Sequence, residues 1–204
     1  TLPTPLNYNY VNVNELFEMS PNDYPDISDL LLVIQNWDRE ANAESFGAGA
    51  YAMVYYNLGK YYPKLKEDKI VSKEMLEKCL KEVKLKMIES FGSINVRLGD
   101  YQKLVRGNKE ISIFGIPDVI TAMSGVDYKD GKIKITHGES YIELVKFVDG
   151  KVEIESVISY GSSDHEDSPH YNDQMELYAN FKTKKMTFNK EEIYKNSKKI
   201  YNPK

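Results

Sequence analysis

The chain has 204 residues, 41% of them hydrophobic and 28% charged, and 27 basic against 31 acidic residues give a formal net charge of −4. This composition is typical of a folded globular protein and excludes a disordered or collagen-like chain. Sequence-independent nucleic-acid binding needs clustered cations, so a slightly acidic chain is a poor candidate for it. No uninterrupted apolar stretch approaches the roughly 20 residues of a membrane span. The single cysteine, Cys79, excludes an intrachain disulfide and a cysteine-based zinc site.

The first 25 residues form an irregular lead-in segment by their composition. Pro3, Pro5 and Pro21 stand among many asparagines, which disfavours regular structure except for a short helix near residues 14–19.

Residues 26–110 carry mainly helical signals. A first helix is predicted from about 26 to 37, where capping residues around Ser28 precede apolar residues at helical spacing. A second is predicted from about 45 to 58, ending near Gly59. Its glycines and alanines would let another element approach closely.

A third helix is predicted from the cap residue Ser72 to the stop residue Gly92. Its apolar stripe contains Cys79, which we interpret as a small buried hydrophobic side chain. A reactive thiol would need a cationic setting that the sequence does not indicate.

Residues 111–204 begin with period-two alternation, which indicates strands. We expect a short antiparallel sheet of at least three strands within 111–160, with a hairpin turn at Asp149-Gly150. The pair Ser168-Pro169 predicts a helix reaching about Phe181, because proline suits the first helical position. Asn189 and Glu192 predict a final capped helix with a capping box, and Phe188 and Ile193 would form its hydrophobic staple. Helices followed by strands and two further helices indicate an α+β fold.

The densest polar stretch, residues 160–174, joins a strand to this predicted helix. Such junctions commonly hold active-site groups. The structural alternative is that Ser168 caps the helix while His170, Asp173 and Gln174 bond neighbouring loops. The acidic run 164–167 is interpreted as a solvated loop, and with three histidines in the chain no metal site is predicted. No glycine-rich phosphate-binding loop is present.

Four separated segments, 36–45, 98–107, 138–141 and 160–174, carry a resemblance that covers about residues 25–195. Their distinctive residues are Trp37, Asp38, Gly99, Asp100, Arg106, Gly107, Ser140, Tyr141, Ser168, Pro169, His170, Tyr171, Asp173 and Gln174. In order and spacing these segments resemble the penicillin acylase family, especially its branch acting on acyl-homoserine lactones and related N-acyl amides.

The resemblance implies an N-terminal nucleophile hydrolase. In these enzymes a precursor cuts itself, and the new N-terminal serine of the β-chain attacks the amide with its own α-amino group as base. The matched segments belong to the last third of that β-chain. The nucleophile, the oxyanion-hole asparagine and the calcium site of some members lie upstream. We therefore expect a C-terminal fragment without the main catalytic machinery and without a cofactor of its own.

The implied partners are the α-chain and the N-terminal part of the β-chain, and the substrate of the complete enzyme is a small acyl amide. In the family these strands complete one sheet of a four-layer αββα sandwich. The resemblance thus predicts core positions at Tyr141, Ile142, Leu144, Val145, Phe147, Val157 and Ile158. An isolated fragment would expose apolar faces and strand edges. Trp37 and the small-residue helix are expected to be packing elements, and Asp100 and Arg106 to form structural ion pairs.

Some family members orient a histidine near the nucleophile with a carboxylate from this region. Glu139 is the first choice for that role because it lies inside a matched segment, and Glu143 is the second. The alternative for each is a surface carboxylate of a strand. The remaining matched residues are expected to be structural.

Two other functions stay open at this point. A non-catalytic module with an acylase-like fold would be compatible with the sixteen tyrosines, which suit interfaces. A stand-alone hydrolase using Thr1 is the weaker idea, because Thr1-Leu2-Pro3 does not open a strand. The family alone implies a periplasmic or extracellular location.

Overall fold

The computed structural model of the chain describes residues 13–59, 71–117 and 119–200. The chain divides into two compact units, Thr1–Glu139 and Ser140–Lys204. The predictions that concern Thr1, Pro3 and Pro5 lie outside the described residues. Helices and strands together make an α+β fold, as predicted.

The described part of the first unit contains helices packed on a sheet. The helices are α1 Glu15–Glu18, α2 Ser28–Gln35, α3 Phe46–Leu58, α4 Lys73–Phe91 and α5 Leu98–Tyr101. Short 3₁₀ turns, Pro21–Asp23 and Pro25–Ile27, precede α2. The predicted start at residue 26 is therefore two residues early. Ser28 does not cap α2, because its hydroxyl donates to the Pro25 carbonyl at 3.1 Å.

The two long helices begin and end as their sequences predict. Ser45 Oγ accepts from Ala48 N at 3.1 Å, and Ser72 Oγ accepts from Met75 N at 3.3 Å. Gly92 ends α4 with φ +72°, a conformation that favours glycine. Cys79 is fully buried, and the amide of Asn57 donates to its sulfur at 3.2 Å, so it is a core residue.

The first unit also holds a four-stranded sheet. Its strands are β1 Gln102–Arg106, β2 Lys109–Ser112, β3 Ser124–Asp127 and β4 Ile133–His137, in the spatial order β2-β1-β4-β3. The predicted antiparallel arrangement is wrong for one pair, since β1 and β4 run parallel with Gln102 opposite Ile133. The sheet also starts earlier than residue 111.

The second unit holds a separate three-stranded antiparallel sheet. Its strands are β5 Tyr141–Val148, β6 Lys151–Ile158 and β7 Lys184–Met186, in that order. Asp149 (φ +48°) and Gly150 (φ +74°) form the predicted two-residue hairpin turn.

One face of this second sheet carries mainly apolar side chains, several of them exposed. The register places seven apolar side chains on it, and we call these the apolar sheet face: Tyr141, Val145, Phe147, Val152, Ile154, Ile158 and Met186. The polar residues Glu143, Ser156 and Lys184 lie on the same side of the sheet. Phe147 is 79% exposed, and Tyr141 and Val145 are about half exposed. On the opposite face Leu144 is exposed, Ile142 is half-buried and Val157 is buried. Four of the residues expected in the core of the complete protein, Tyr141, Leu144, Val145 and Phe147, are exposed in this chain, in line with the expectation that a fragment exposes apolar faces. Their burial in the complete protein stays a prediction.

The chain ends with two short helices. They are α6 Met175–Ala179, which is shorter than predicted, and α7 Lys190–Asn196. Ser168-Pro169 does not start a helix, because the His170 carbonyl accepts from Ser163 N at 3.1 Å and Gln174 N donates to the Tyr160 carbonyl, so the helical bond between Gln174 and His170 does not form. Ser168 Oγ accepts from His170 N at 3.1 Å within the resulting turn.

The start of α7 follows its prediction only in part. Asn189 caps this helix as predicted, accepting from the backbone amides of Glu191 and Glu192. The Glu192 carboxylate accepts from the Thr187 hydroxyl at 2.7 Å rather than closing a capping box. Phe188 and Ile193 stay largely exposed, so they form no buried staple.

Candidate functional site

The first matched segment, residues 36–45, connects α2 to α3 and is held by its own side chains. Trp37 is buried, stacks on Tyr51 with ring centroids 5.1 Å apart, and donates from Nε1 to the Glu40 carbonyl at 2.9 Å. Asp38 Oδ1 accepts from Glu40 N at 2.9 Å. A Cβ atom on Gly47 would lie 2.3 Å from the Trp37 Cβ, so α3 needs glycine there. These contacts give the segment a packing role.

The second matched segment, residues 98–107, is joined to the first through the backbone. Gly99 N donates to the Ala43 carbonyl at 2.7 Å, and Leu98 N donates to the Ser45 carbonyl at 3.0 Å. A Cβ on Gly99 would meet the Ser112 Cβ at 2.7 Å. The two segments therefore form one closely packed junction, although they are more than fifty residues apart in sequence.

The other matched residues of this second segment, Asp100, Arg106 and Gly107, lie at or near the surface. Asp100 is exposed on α5, and within the described residues no ion pair joins it to a lysine or arginine. Arg106 is half-buried at the end of β1. Gly107 forms the turn to β2 with φ +60°.

The fourth matched segment, residues 160–174, is a loop of the second unit fastened by Gln174. This side chain is 3% exposed, and its Oε1 accepts from Ile158 N at 3.2 Å. Its backbone N–H donates to the Tyr160 carbonyl at 2.8 Å. A Cβ on Gly161 would lie 2.1 Å from the His170 carbonyl oxygen, so the loop closes tightly on itself.

His170 and Asp173 form a pair on the surface of that loop. His170 Nδ1 lies 2.8 Å from Asp173 Oδ2, and the histidine side chain is 61% exposed. Ser168 bonds to the backbone of His170 and not to its ring. Pro169 is exposed, and the Tyr171 hydroxyl donates to Glu166 at 3.5 Å. The structural alternative is therefore met only in part: Ser168 caps no helix and His170 bonds Asp173 within one loop, whereas Gln174 bonds the backbone of Ile158 in β6.

A cleft of about 450 Å³ opens in the first unit beside the third matched segment. It is lined by Pro117, Ala122, Met123, Ser124, His137, Gly138 and Glu139. Met123 is buried at its base, and Gly115 and Gly138 admit it, since a Cβ on either would lie within 2.6 Å of a Met123 side-chain atom. Sequence reasoning found Glu139 but missed the cleft. The sequence signal for the cleft was the presence of Gly115 and Gly138. Their small size leaves room for the Met123 side chain, and this contact cannot be recognised from neighbouring residues alone.

The polar side of the cleft comes from the ends of two paired strands. Ser124 lies opposite His137 in the register of β3 and β4, next to a bulge between Ser124 and Gly125. The His137 Nδ1 lies 2.9 Å from the Thr136 hydroxyl. Glu139, which ends this unit, is half-buried. A carboxylate at the edge of an open cleft can accept a hydrogen bond from a donor that enters the cleft.

Ser140, Tyr141 and Glu143 belong to the second unit. Ser140 is exposed, and its carbonyl accepts from Ser159 N at 3.2 Å. The Tyr141 hydroxyl donates to the Glu143 carboxylate, and this hydrogen bond raises the pKa of Tyr141. Glu143 is therefore an exposed strand carboxylate with a neighbour on its own strand.

Two further properties of the described residues bear on the site. They contain no group of three or more histidine, cysteine, aspartate or glutamate side chains placed to hold a metal ion. Across the same ranges, no helix combines the length and apolar character that crossing a membrane requires.

Comparison with known proteins places these features in a family. Residues 12–195 match the model of the family described as penicillin amidase. The chain is 30% identical over 98 residues to the acyl-homoserine lactone acylase PvdQ of Pseudomonas syringae pv. syringae (strain B728a). It is 25% identical over 130 residues to the PvdQ of Pseudomonas fluorescens (strain Pf0-1).

The extent of these matches differs between the proteins. The two alignments cover 47% and 60% of this chain but 13% and 17% of the relatives. A thermostable penicillin G acylase from Alcaligenes faecalis matches 94% of this chain and 45% of its own, with 16% identity and a TM-score of 0.44. On the family match, which spans most of its length, the chain belongs to the penicillin amidase family.

Proposed function

We propose that this chain is the C-terminal part of an N-terminal nucleophile hydrolase that cleaves N-acyl amides, either penicillin-like or acyl-homoserine-lactone-like. The observation that carries the proposal is the family match over residues 12–195. The two Pseudomonas relatives are acyl-homoserine lactone acylases of much greater length. In this proposal the nucleophilic serine and the oxyanion hole lie upstream, so the chain by itself does not hydrolyse amides.

Glu139 is proposed as the carboxylate that orients a histidine next to the nucleophile. It lines the cleft of the first unit, where an imidazole N–H from another segment would find an acceptor. A carboxylate in that role fixes the tautomer of the histidine and stabilises its protonated form. Glu143 remains the second choice for the role, because it lies outside the matched segment 138–141.

The apolar sheet face is proposed to pack against the rest of the acylase precursor. It carries large side chains such as Phe147 and Tyr141 in exposed positions. A groove of about 630 Å³ next to β6 and β7 is lined by Val152 and Met186 of this face and adds Phe188 to it. Contiguous exposed apolar surface of this kind marks an interaction site. The partners are accordingly the α-chain and the N-terminal part of the β-chain.

The remaining parts of the proposal rest on family membership. The complete protein is proposed to act in the periplasm or outside the cell. Any calcium ion it binds is proposed to lie upstream of this chain.

The first experiment is intact mass measurement and N-terminal sequencing of every chain of the native protein. The proposal expects a larger β-chain that starts with serine and ends in this sequence. The purified native protein should then release amine from an N-acyl-homoserine lactone or from penicillin G, whereas this chain alone should not. A single uncut chain, or one that begins at Thr1, would contradict the self-processing mechanism.

A substitution in the native protein tests the role of Glu139. Glu139→Gln should lower kcat by about 10- to 100-fold, because loss of orientation costs part of the general-base contribution. Glu143→Gln, the same substitution at a carboxylate of β5, is the matched control and should leave kcat within about twofold of the parent value. Equal effects of the two variants would remove Glu139 from the proposal.

A further inference from the structure

The last segment that the structure describes, residues 181–200, differs in charge from the chain before it. It contains seven lysines and two glutamates, whereas residues 1–180 contain 19 basic and 29 acidic residues. The formal charge is therefore +5 for this segment and −10 for residues 1–180. We call residues 181–200 the basic segment. Its lysines are Lys182, Lys184, Lys185, Lys190, Lys195, Lys198 and Lys199.

The lysines of the basic segment are on the surface, since all seven are exposed. Within the described residues, no carboxylate forms an ion pair with Lys184, Lys190 or Lys195. The Nζ of Lys190 lies 5.6 Å from the centroid of the Tyr194 ring. A lysine ammonium offers three donors and no acceptor, so these groups can bind an anion from outside the chain.

The helix α7 within this segment lacks the packing that normally stabilises so short an element. None of its residues is buried, and isolated helices shorter than about 12 residues are marginal in water. Its side chains are nevertheless sorted by type. At about 100° per residue, Ile193, Lys190 and Tyr194 form one stripe, and Glu191 and Glu192 lie outside it. The helix thus presents apolar side chains beside a lysine and away from its own carboxylates.

Lysines beside exposed aliphatic and aromatic side chains fit the surface of an anionic lipid bilayer. Ile193 and Tyr194 are about half exposed, and Ile200, just beyond α7, is 64% exposed. Isoleucine can enter between acyl chains, tyrosine suits the level of the headgroups, and lysine stems hold their ammonium groups at the phosphates. A nucleic acid fits less well, because isoleucine offers no flat face to a base and the segment contains no arginine.

We propose that the basic segment binds the surface of membranes rich in anionic phospholipids. The lysines contact the lipid phosphates, and Ile193, Tyr194 and Ile200 enter the interface between headgroups and acyl chains. The contact is peripheral and does not cross the bilayer. On the membrane, α7 gains the apolar environment that it lacks in water. These three apolar residues are not part of the apolar sheet face, and the inference does not depend on the proposed hydrolase activity.

The experiment is co-sedimentation of the native protein with lipid vesicles. Vesicles with about 30% phosphatidylglycerol in phosphatidylcholine should bind the protein at least about tenfold more tightly than vesicles of phosphatidylcholine alone. Sodium chloride at about 0.5 M should weaken this binding, because salt screens the attraction between lysines and phosphates. Equal binding to the two kinds of vesicle, or binding to neither, would overturn the proposal.

A set of charge variants locates the contact within the native protein. Replacing three lysines of the basic segment with glutamine should weaken binding to anionic vesicles at least about tenfold, since each lysine near such a surface contributes about fivefold. Arginine at the same positions should preserve binding. The positions are Lys190, Lys195 and Lys198.

The matched control removes the same charge elsewhere, from three exposed lysines of α4. Glutamine at these positions should leave vesicle binding within about twofold of the parent value. They are Lys73, Lys78 and Lys81. Circular dichroism verifies that all variants are folded. Equal losses in the two triple variants would show that net charge alone controls binding and would overturn the proposal.

An apolar variant and two competing occupants complete the test. Ile193→Ser combined with Tyr194→Ser keeps the charge and should weaken vesicle binding about tenfold. Undiminished binding of this variant would contradict the role of the apolar stripe. Tighter binding of the parent protein to a single-stranded oligonucleotide than to anionic vesicles would assign the segment to nucleic acid. Resistance of Lys190 and Lys195 to trypsin before lipid is added would show that another part of the protein covers them. Either result would overturn the proposal.

Discussion

The helical part of the first unit and the sheet of the second unit use similar apolar side chains in opposite ways. In α2–α4, Leu30, Leu31 and Leu80 are fully buried, and glycines bring the backbones close. In β5 and β6, Leu144, Phe147 and Val152 are between 46% and 79% exposed. The first region is stabilised by its own contacts, whereas the second has a surface suited to a partner. The difference shows that apolar content does not by itself define a core.

The largest expected effect compares the same substitution in the two regions. Leu80→Ala should lower the free energy of unfolding by about 2–5 kcal/mol, because it leaves a cavity in a closely packed site. Leu144→Ala, at a position 56% exposed, should change it by less than about 0.5 kcal/mol. Urea unfolding followed by circular dichroism measures both. A large loss at Leu144 would mean that β5 is covered within the chain itself.

A smaller loss in the free energy of unfolding is expected where α3 lies close to the backbone of another segment. A Cβ on Gly49 would lie 2.2 Å from the Val96 carbonyl oxygen, so Gly49→Ala should destabilise the protein by about 1–3 kcal/mol through overpacking. Gly92→Ala is the control with open space around the new methyl group. It should cost only the backbone strain at φ +72°, about 1 kcal/mol. Equal losses in urea unfolding would contradict the proposed close approach.

In the second unit, a substitution at Gln174 tests the hydrogen bond that joins the loop 160–174 to β6. Gln174→Met keeps the volume but leaves the buried Ile158 N–H without its acceptor. A loss of about 1–2 kcal/mol is expected, together with faster hydrogen exchange at Ile158. If amide hydrogen exchange at Ile158 stays at the parent rate, the Gln174 side chain does not stabilise the attachment of the loop 160–174 to β6.

Alkaline pH should weaken the first unit in particular. Burial raises the pKa of Tyr56 to about 12, against the opposing effect of the Gly125 N–H that donates to its hydroxyl. Burial also raises the pKa of Tyr101. The unfolded chain loses these protons near pH 10 while the folded chain keeps them, so stability should fall as the pH rises from about 10 to 12. Tyr56→Phe should make this decline shallower, as measured by thermal unfolding across that range. An unchanged slope would contradict the burial of the phenol.

The smallest effect on stability is expected at Phe147, which is 79% exposed. Phe147→Ser should leave the unfolding free energy within about 0.5 kcal/mol while reducing self-association at high concentration. Light scattering measures the second quantity. Unchanged self-association would indicate that the apolar sheet face does not mediate contacts between copies of the chain in solution.

The parts of the fold that could be predicted are those set by neighbouring residues. Ser72 and Gly92 define α4, and Asp149-Gly150 defines the hairpin, because each signal acts on the backbone within a few residues. The parallel pairing of Gln102 with Ile133 could not be predicted, since it joins residues 31 positions apart across a turn and two strands. Pro169 was misleading for a related reason: the His170 carbonyl accepts from Ser163 N, a partner outside the predicted helix.

The site was less predictable than the fold. Glu139 could be selected from its matched segment, but the cleft it lines depends on Met123 fitting between two glycines. Exposure at Val145 agrees with the expectation that a fragment exposes apolar faces, but strand periodicity alone shows only which residues share a face and not what covers that face.

The junction at Gly99 also constrains how the sequence can change during evolution. The glycine has no room for a side chain between Ser112 and Ala43, and its amide is bonded to the Ala43 carbonyl. A larger residue at any one of these three positions needs a smaller or shifted neighbour at another. Positions 43, 99 and 112 should therefore covary among homologues, and replacements that fail singly should be tolerated in compensating combinations.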